Sequence, residues 1–522
     1  MNEKDLWPDR RWRRPLPVDS RLEELDSLLA KNQVVVFQAD TGAGKTIRIG
    51  QYFTLKHPIW HVWLTQTHRP AVRSNGKRIA YEMGEQPGET IGWRLRGEPR
   101  VGSRNTRLEL VIDQTLVNMI RRLGYLPKGL LIIDEAHERQ ISTDLLLWLI
   151  REYLPSSSET KVIITSATID TEKFSAYFGG APIVEAKGRT YPVEVRVKEM
   201  PYADHHSTTA ISAALEVMEA FAKGEVTIIH PDDAEAVESG QLSAESARRQ
   251  TVETGAVAIL LPGKEDIKNA VEALKRHAQF LGISDRIEIL ASHAEANPSE
   301  QDRVFEPVSE GILRFIAATE IIRSSVTPAD LVGLVDSLQV KRPISDAKGV
   351  AHLMKIAISK AEAYQGMGRS GRTQPGFYIP VSYDREYYNL KLWPEPAILQ
   401  QPVTSVVLQI AAAGFNIRTA QLIDNPAIEN VEVAITRLIK LGALDQNEKI
   451  TELGRLIVQF PLDPERARVL ITADRLGVLA EAIIAVSVLE AENIRFKPRE
   501  GGEKVILPER FVRDILARTV SS

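Results

Sequence analysis

Val34, Val35, Val36 and Phe37 run through Gln38 into Ala39-Asp40-Thr41-Gly42-Ala43-Gly44-Lys45-Thr46. An apolar strand that breaks on a glycine-spaced loop, with a helix opening on lysine and threonine, has few ways to close. Thr41, Gly42, Ala43 and Gly44 form a loop in which the two glycines let backbone N–H groups converge on one point. Lys45 reaches the same point with its ammonium, and the helix N-terminus adds partial positive charge. The result is a cradle for a chain of phosphates, with the Thr46 hydroxyl placed for Mg²⁺. Ala39 stands where the strict form of this pattern has glycine, so the strand before the loop and the helix after it carry the assignment.

Such a unit belongs in a parallel sheet, and the neighbouring sequence agrees. Short apolar runs recur at 61–65 (HVWLT), 108–112 (LELVI), 130–134 (LLIID) and 161–165 (KVIIT), separated by longer amphipathic stretches. A second series follows at 258–262 (AILLP), 287–291 (IEILA), 313–319 (LRFIAAT), 331–336 (LVGLVD) and 376–381 (GFYIPV). The fold class expected is α/β, with two parallel-sheet units in tandem and the crossing between them in GRTYPVEV, 188–195. After Pro396 the pattern turns helical, with Val431, Ile435, Leu438 and Ile439 on one face. Residues 231–253 hold six acidic and two basic residues and hardly any large apolar group, which predicts a mobile acidic insert.

Length and composition set the remaining bounds. A chain of 522 residues exceeds one compact core. The absence of cysteine excludes disulfides, thiolate metal sites and a cysteine nucleophile. Neither a membrane-length apolar run nor the apolar core of a secretory signal is present, so a cytoplasmic protein without membrane partners is expected. The net charge of −4 offers no global argument for nucleic acid. Basic residues do cluster locally, at Arg10, Arg11, Arg13 and Arg14 and again through Arg94, Arg96, Arg100, Arg104 and Arg107, where solvated surface is the plain alternative.

Eighty-nine residues after Lys45 the run LLIID ends on adjacent carboxylates, Asp134 and Glu135, with His137 two residues on. Beside a phosphate cradle, Asp134 suits Mg²⁺ held through its water shell, and Glu135 suits a base for the attacking water. His137 is either a hydrogen-bonded core residue or a link from hydrolysis to domain movement. In the second α/β unit, Gln365-Gly366-Met367-Gly368-Arg369-Ser370-Gly371-Arg372 offers two arginines three residues apart, which could face a transferred phosphoryl group from a separate domain or form a flexible basic loop.

Taken in order, these segments resemble the DEAH/RHA helicases of superfamily two, most closely the bacterial members. TQTHRPAV (65–72), LELVIDQTLV (108–117), Ser166-Ala167-Thr168, LLPGKEDI (260–267) and QGMGRSGRTQPG (365–376) are similar to further motifs of that family, and the likeness runs from about Leu16 to Pro498. The resemblance implies an N-terminal arm (1–18), two RecA-like domains (19–187 and 188–390), a winged helix (396–462) and the start of a helical ratchet (463–522), with no room for an oligonucleotide-binding barrel and therefore weak strand grip. It implies Mg²⁺-dependent ATP hydrolysis, with other nucleoside triphosphates accepted, coupled to 3′-to-5′ movement on single-stranded RNA or an RNA duplex with an overhang.

By position, Thr46, Asp134 and Glu135 would hold Mg²⁺ and water, and Gln365, Arg369 and Arg372 would face the phosphates. Arg78 and Phe305 would sandwich the base, and Arg69, Thr115, Gly263, Lys264 and Thr327 would grip the strand backbone. Few basic residues fall on the winged helix's recognition-helix position, which predicts packing rather than base reading. The sequence departs from the family's pattern at Gly366, where arginine is usual, and at Glu320 and Arg323, where asparagine and glutamate are usual. Glu320 and Arg323 keep open the alternative of a nucleotide-gated RNA clamp that hydrolyses poorly, and a DNA or mixed-substrate translocase is the other alternative because backbone grip does not distinguish sugars. No protein partner can be read from the sequence.

Overall fold

A computed structural model of the chain describes residues 16–40, 42–166, 171–186, 191–293, 303–324, 328, 330–346 and 351–490. The chain divides into two compact units. One holds both α/β halves; the other comprises Arg121–Gly124, Pro343–His352 and Pro396–Ser522.

In the first half, strands β1 (Val34–Ala39), β2 (Val62–Gln66), β3 (Ile91–Arg94), β4 (Leu108–Ile112), β5 (Gly129–Ile133), β6 (Thr160–Ser166) and β7 (Ile183–Ala186) form one sheet in the order β3-β4-β2-β5-β6-β1-β7. Every neighbouring pair is parallel. Helices α1 (Leu22–Lys31), α2 (Lys45–Lys56), α3 (Arg69–Glu82), α4 (Asp113–Leu123), α5 (Ile141–Tyr153) and α6 (Thr171–Tyr177) connect and cover the strands. β1 lies between β6 and β7, which explains why Val34 to Phe37 are apolar without alternation: helices cover both faces. α1 shows the complementary pattern, with Leu22, Leu25 and Leu29 buried on one side, each worth ~2 kcal/mol or more in transfer terms. Because the strands are parallel, their carboxyl ends collect at one edge, where α/β sheets usually bind ligands.

Residues 16–18 belong to this core rather than to a separate arm. Val18 is fully buried and its N–H donates to the Ala43 carbonyl, and Leu16 packs against the same core. The basic residues from Arg10 to Arg14 lie outside the described residues.

The second half contains β8 (Val193–Val195), β9 (Lys198–Glu199), α7 (His206–Ala222), β10 (Thr227–Ile229), α8 (Ala234–Glu238), β11 (Arg249–Thr251), β12 (Gly255–Leu260), α9 (Lys264–Leu281), β13 (Ile287–Ser292), β14 (Leu313–Ala318), α10 (Ile321–Ser324), β15 (Leu331–Asp336), β16 (Gln339–Ser345), β17 (Ala351–Ala357), α11 (Lys360–Ser370), β18 (Gly376–Ser382) and α12 (Glu386–Asn389). Its main sheet runs β13-β14-β12-β15-β18-β8, again parallel, with β9 pairing the end of β18. The second series of apolar runs supplies β12 to β15 and β18, as their alternation with amphipathic stretches predicts.

Residues 231–253 differ from the expectation of a mobile insert, because they take secondary structure. β11 pairs antiparallel with β10, Arg248 closes on Asp233 at 2.7 Å, and Ala234, Ala247 and Val252 are buried. Counting apolar residues within the segment misses this because the order comes from outside it. Strand partners on β10 satisfy the backbone of β11, and a few small side chains suffice to cover Val226 and Ile228.

The second unit is helical: α13 (Ala397–Gln400), α14 (Thr404–Ala412), α15 (Ile428–Lys440), α16 (Glu452–Ile457), α17 (Pro464–Arg475) and α18 (Leu479–Glu490). Leu444 and Ile450 form an antiparallel bridge between α15 and α16, a short wing closed on the Asp445 carboxylate. Val431, Ile435 and Leu438 are buried and Ile439 is partly so, close to the face expected. Residues 491–522 lie outside the description. Among the described residues no helix is long and apolar enough to cross a membrane.

Candidate nucleotide site and its arginines

The carboxyl edge of the first sheet places the phosphate loop beside the acidic pair. Gly44 is the N-cap of α2 in the left-handed region, φ 92°, and a Cβ there would lie 2.5 Å from Leu16 Cδ1, so both conformation and space require glycine. Lys45 is buried, and its ammonium donates to the carbonyls of Ala39 (2.6 Å) and Asp40 (3.2 Å). Burial pushes its pKa down, with Glu135 and Asp134 working the other way. A desolvated cation held only partly by carboxylates gains from an incoming phosphate. Thr41 lies outside the described residues. Gly42 lines the site cavity, and Ala43 is buried behind it.

Asp134 leaves the end of β5 fully buried and is surrounded by neutral donors. Thr46 Oγ1 donates to it at 2.5 Å, Gln66 Nε2 at 2.7 Å, and the Thr165 hydroxyl also donates. Asn75 in turn donates to Gln66 Oε1 at 2.9 Å, which holds the amide in that orientation. Burial raises the Asp134 pKa, and Glu135 adds to the effect. These residues fit a divalent cation. A buried carboxylate that burial makes costly to charge sits against a threonine hydroxyl, and a hard cation sharing phosphate ligands needs only such a partial protein site. Among the described residues no group of three or more acidic or histidine side chains forms a cage.

Glu135 takes the left-handed conformation, φ 53° and ψ 36°, which costs a non-glycine residue about 1–2 kcal/mol. Asp134 Oδ1 accepts its N–H at 3.1 Å and helps hold the turn. The Glu135 side chain is thereby aimed into the cavity, and its buried Oε2 receives no hydrogen bond among the described residues. His137 Nδ1 stands 3.3 Å from that oxygen, without hydrogen-bond alignment, and His137 Nε2 lies 3.2 Å from Gln365 Nε2 on α11. Burial, reinforced by Lys45, presses the His137 pKa down to about 3. The imidazole is therefore neutral, and with the Gln365 amide as donor its proton belongs on Nδ1, facing Glu135.

Arg369 and Arg372 arrive from the other α/β half and line the same cavity as Gly42, Gly44, Lys45, Thr46 and Glu135. Arg369 Nε donates to the Arg323 carbonyl at 3.0 Å. Burial, then Arg372, brings the Arg369 pKa down to about 9, and burial and Arg78 lower that of Arg372. Both stay charged near neutrality. Gln66, Thr67, His68 and Asn75 complete the wall, and sequence reasoning does not single them out. Gln66, Thr67 and His68 lie inside TQTHRPAV, a motif whose resemblance points to Arg69 alone.

The residues proposed for the base and the strand are more dispersed. Arg78 is exposed, with its guanidinium on Glu82 at 2.5 Å, and Phe305 is partly exposed. Arg69 donates to Glu98 at 2.6 Å and to the Arg96 carbonyl at 2.7 Å, and Arg73 binds the same carboxylate. Thr115 lies in the first turn of α4. Gly263 caps α9 and Lys264 opens it. A Cβ at Gly263 would fall 2.5 Å from Lys341 Nζ, so a further cation, unremarked in the sequence, stands at that helix start. Thr327 lies outside the described residues. Much of the basic cluster from Arg94 to Arg107 serves the fold: Arg94 and Arg100 pair with the buried Glu109 of β4, and Arg107 donates to the Thr54 carbonyl.

Comparison with known proteins bears on this geometry. The helicase associated domain (HA2), winged-helix family matches residues 434–462. Over 498 residues, 94% of this chain, the sequence is 32% identical to the pre-mRNA-splicing factor ATP-dependent RNA helicase prp22 of Schizosaccharomyces pombe, covering 40% of that protein. Over 500 residues, 93% of this chain, it is 32% identical to the ATP-dependent RNA helicase HrpA of Escherichia coli, covering 35% of that protein. The likeness to helicases of the DEAH/RHA type therefore runs through nearly the whole of this chain. Among solved structures, the DEAH/RHA helicase HrpB of Escherichia coli superposes with a TM-score of 0.79 at 25% identity, over 97% of this chain and 61% of the other. The chain thus has two tandem RecA-like sheets and a winged helix, and it spans about two fifths or less of the length of the curated relatives cited.

Proposed function

We propose that this chain is an ATP-dependent RNA helicase or translocase that couples Mg²⁺-dependent hydrolysis to 3′-to-5′ movement on a single strand. One observation carries the proposal: Lys45, Thr46 and Glu135 from one RecA-like half share a cavity with Arg369 and Arg372 from the other. A site divided in this way can complete itself only when the halves are together, so the nucleotide state is tied to their separation.

In this reading Lys45 and the N–H groups from Gly42 to Thr46 hold the phosphates. Thr46 and Asp134 would hold Mg²⁺, which would supply charge neutralisation at the outer phosphates. Glu135 Oε2, which receives no hydrogen bond among the described residues, orients the attacking water and takes its proton. His137 sets the Glu135 carboxylate on one side and meets Gln365 on the other. Arg369 and Arg372 stabilise charge on the transferred phosphoryl group. Arg78 and Phe305 would stack on the base through its π-face, which predicts little choice among nucleotides. Arg69, Thr115, Gly263, Lys264 and Thr327 would hold the sugar-phosphate backbone, which gives affinity without sequence choice.

The RNA track rests on family likeness, because backbone contacts alone do not distinguish sugars. Steady-state ATPase measurements with matched RNA and DNA oligonucleotides test it. Stimulation by RNA well above that by DNA is the expected result, and equal stimulation would favour a mixed-substrate translocase.

A further inference from the structure

The departures at positions 323 and 366 form a single arrangement in space. Asp336, at the end of β15, is fully buried and accepts from Arg323 Nη2 at 2.9 and 2.8 Å, from the Tyr378 hydroxyl at 2.9 Å and from the Leu338 N–H at 2.9 Å. Burial works against charge on Arg323, and the Asp336 carboxylate overrides it, holding the guanidinium above its ordinary pKa. The Arg323 side chain lies against α11 at Gly366. A Cβ on Gly366 would stand 3.6 Å from Arg323 Nε, 3.6 Å from Asp336 Oδ2 and 3.8 Å from Leu334 Cδ2. A longer side chain at 366 would therefore enter the space that Arg323 fills. From the same residue, the main-chain carbonyl accepts the Arg369 Nε hydrogen bond at 3.0 Å.

Arg323 thus ties the phosphate-facing arginine to the sheet, through its guanidinium on one side and its carbonyl on the other. We infer that Arg323 is a positioning residue for Arg369, that Gly366 is the opening that admits it, and that a guanidinium supplied from position 366 can take over its contact with Asp336. This rests on the reading of Arg369 as a phosphate-facing group. On this inference Arg323 is no mark of a poorly hydrolysing clamp, since the basic residue at 323 is balanced by the loss of a side chain at 366.

The test is a cycle of the full chain with Arg323→Ala, Gly366→Arg and both changes together, read by ATPase kcat and KM and by thermal melting. Arg323→Ala leaves Asp336 without its cation, and Gly366→Arg forces two guanidinium groups into one space. Each single change should lower kcat at least tenfold with KM for ATP within threefold, because phosphate binding at Lys45 is untouched. The double variant should regain at least threefold over the better single variant and melt nearer to the parent than either. A double variant no faster than the better single would overturn the inference. If Arg323→Ala does not fold, the double variant decides alone: a folded protein within tenfold of the parent's kcat supports the inference, and an unfolded or slower one contradicts it. A parent chain without ATPase activity would instead refute the proposed function, and the melting cycle would still judge the pairing of 323 with 366.

Discussion

His137 Nε2 and Gln365 Nε2 meet at 3.2 Å, across 228 residues of sequence, joining the acidic motif of the first RecA-like half to the arginine-bearing helix of the second. On its other side His137 reaches Glu135 at 3.3 Å. A neutral imidazole in that position can report the state of the carboxylate proposed to activate water to the opposite half without adding charge to the site.

The first prediction follows from that contact. His137→Ala and Gln365→Ala should each keep ATP hydrolysis within about tenfold of the parent, since His137 is not the proposed base and Gln365, expected to face the phosphates, instead meets His137 and does not line the cavity, yet lose most strand separation. Parallel ATPase and duplex-unwinding assays check this. Loss of both activities in equal proportion would make the pair part of the chemistry instead.

Arg369→Ala and Arg372→Ala should each reduce turnover by about 10³ if the arginines stabilise charge in the transition state. Nucleotide affinity should change far less, as Lys45 and the loop remain. Stopped-flow nucleotide binding beside single-turnover hydrolysis separates the two. A loss under tenfold for both would return them to the role of surface cations.

Glu98 holds Arg69 and Arg73 in the structure, and those arginines hold its carboxyl below the usual range. If Arg69 grips a phosphate, Glu98 competes for it. Glu98→Ala should strengthen single-strand binding several-fold at low salt and steepen the salt dependence by about one released counterion for each additional phosphate that is neutralised. Fluorescence anisotropy titrations at several salt concentrations measure both, and unchanged affinity would remove Arg69 from the track.

Asp113 is buried at the start of α4, accepts from Thr143 at 2.5 Å, and burial pushes its pKa up to about 6 from an ordinary 3.8. The folded state therefore favours the protonated form. Its contribution is present below pH ~4 and is lost as pH rises through 6, by ~3 kcal/mol at about 1.4 kcal/mol per pKa unit. Asp113→Asn should melt above the parent by a margin that widens from pH 4.5 to 7.5. A constant margin would contradict the raised pKa.

The parts of the site legible in the sequence are those fixed locally. Val34–Thr46 declares a strand, loop and helix within a dozen residues, and Asp134-Glu135 follows a run that could only be a buried strand. What could not be read depends on residues far apart in sequence. Gly366 and Arg323 look like two separate weaknesses because nothing local says that one side chain fills the other's space. Arg94 and Arg100 look like a phosphate patch because the buried acid they serve, Glu109, is hidden within the apolar run LELVI. Gln66 and Asn75 act only through Asp134, so their roles become visible once the sheet brings them together.

In the proposed reaction Glu135 activates water against a nucleotide held by Lys45, and RNA accelerates the step. Single-turnover ATP hydrolysis by the parent, Lys45→Ala and Glu135→Gln, each with and without single-stranded RNA and alongside nucleotide binding, tests it most directly. The expected results are RNA-accelerated hydrolysis by the parent, loss of nucleotide binding in Lys45→Ala, and retained binding with hydrolysis reduced ~10² or more in Glu135→Gln. Hydrolysis by Glu135→Gln at the parent's rate, or a parent whose hydrolysis is indifferent to RNA, would contradict it.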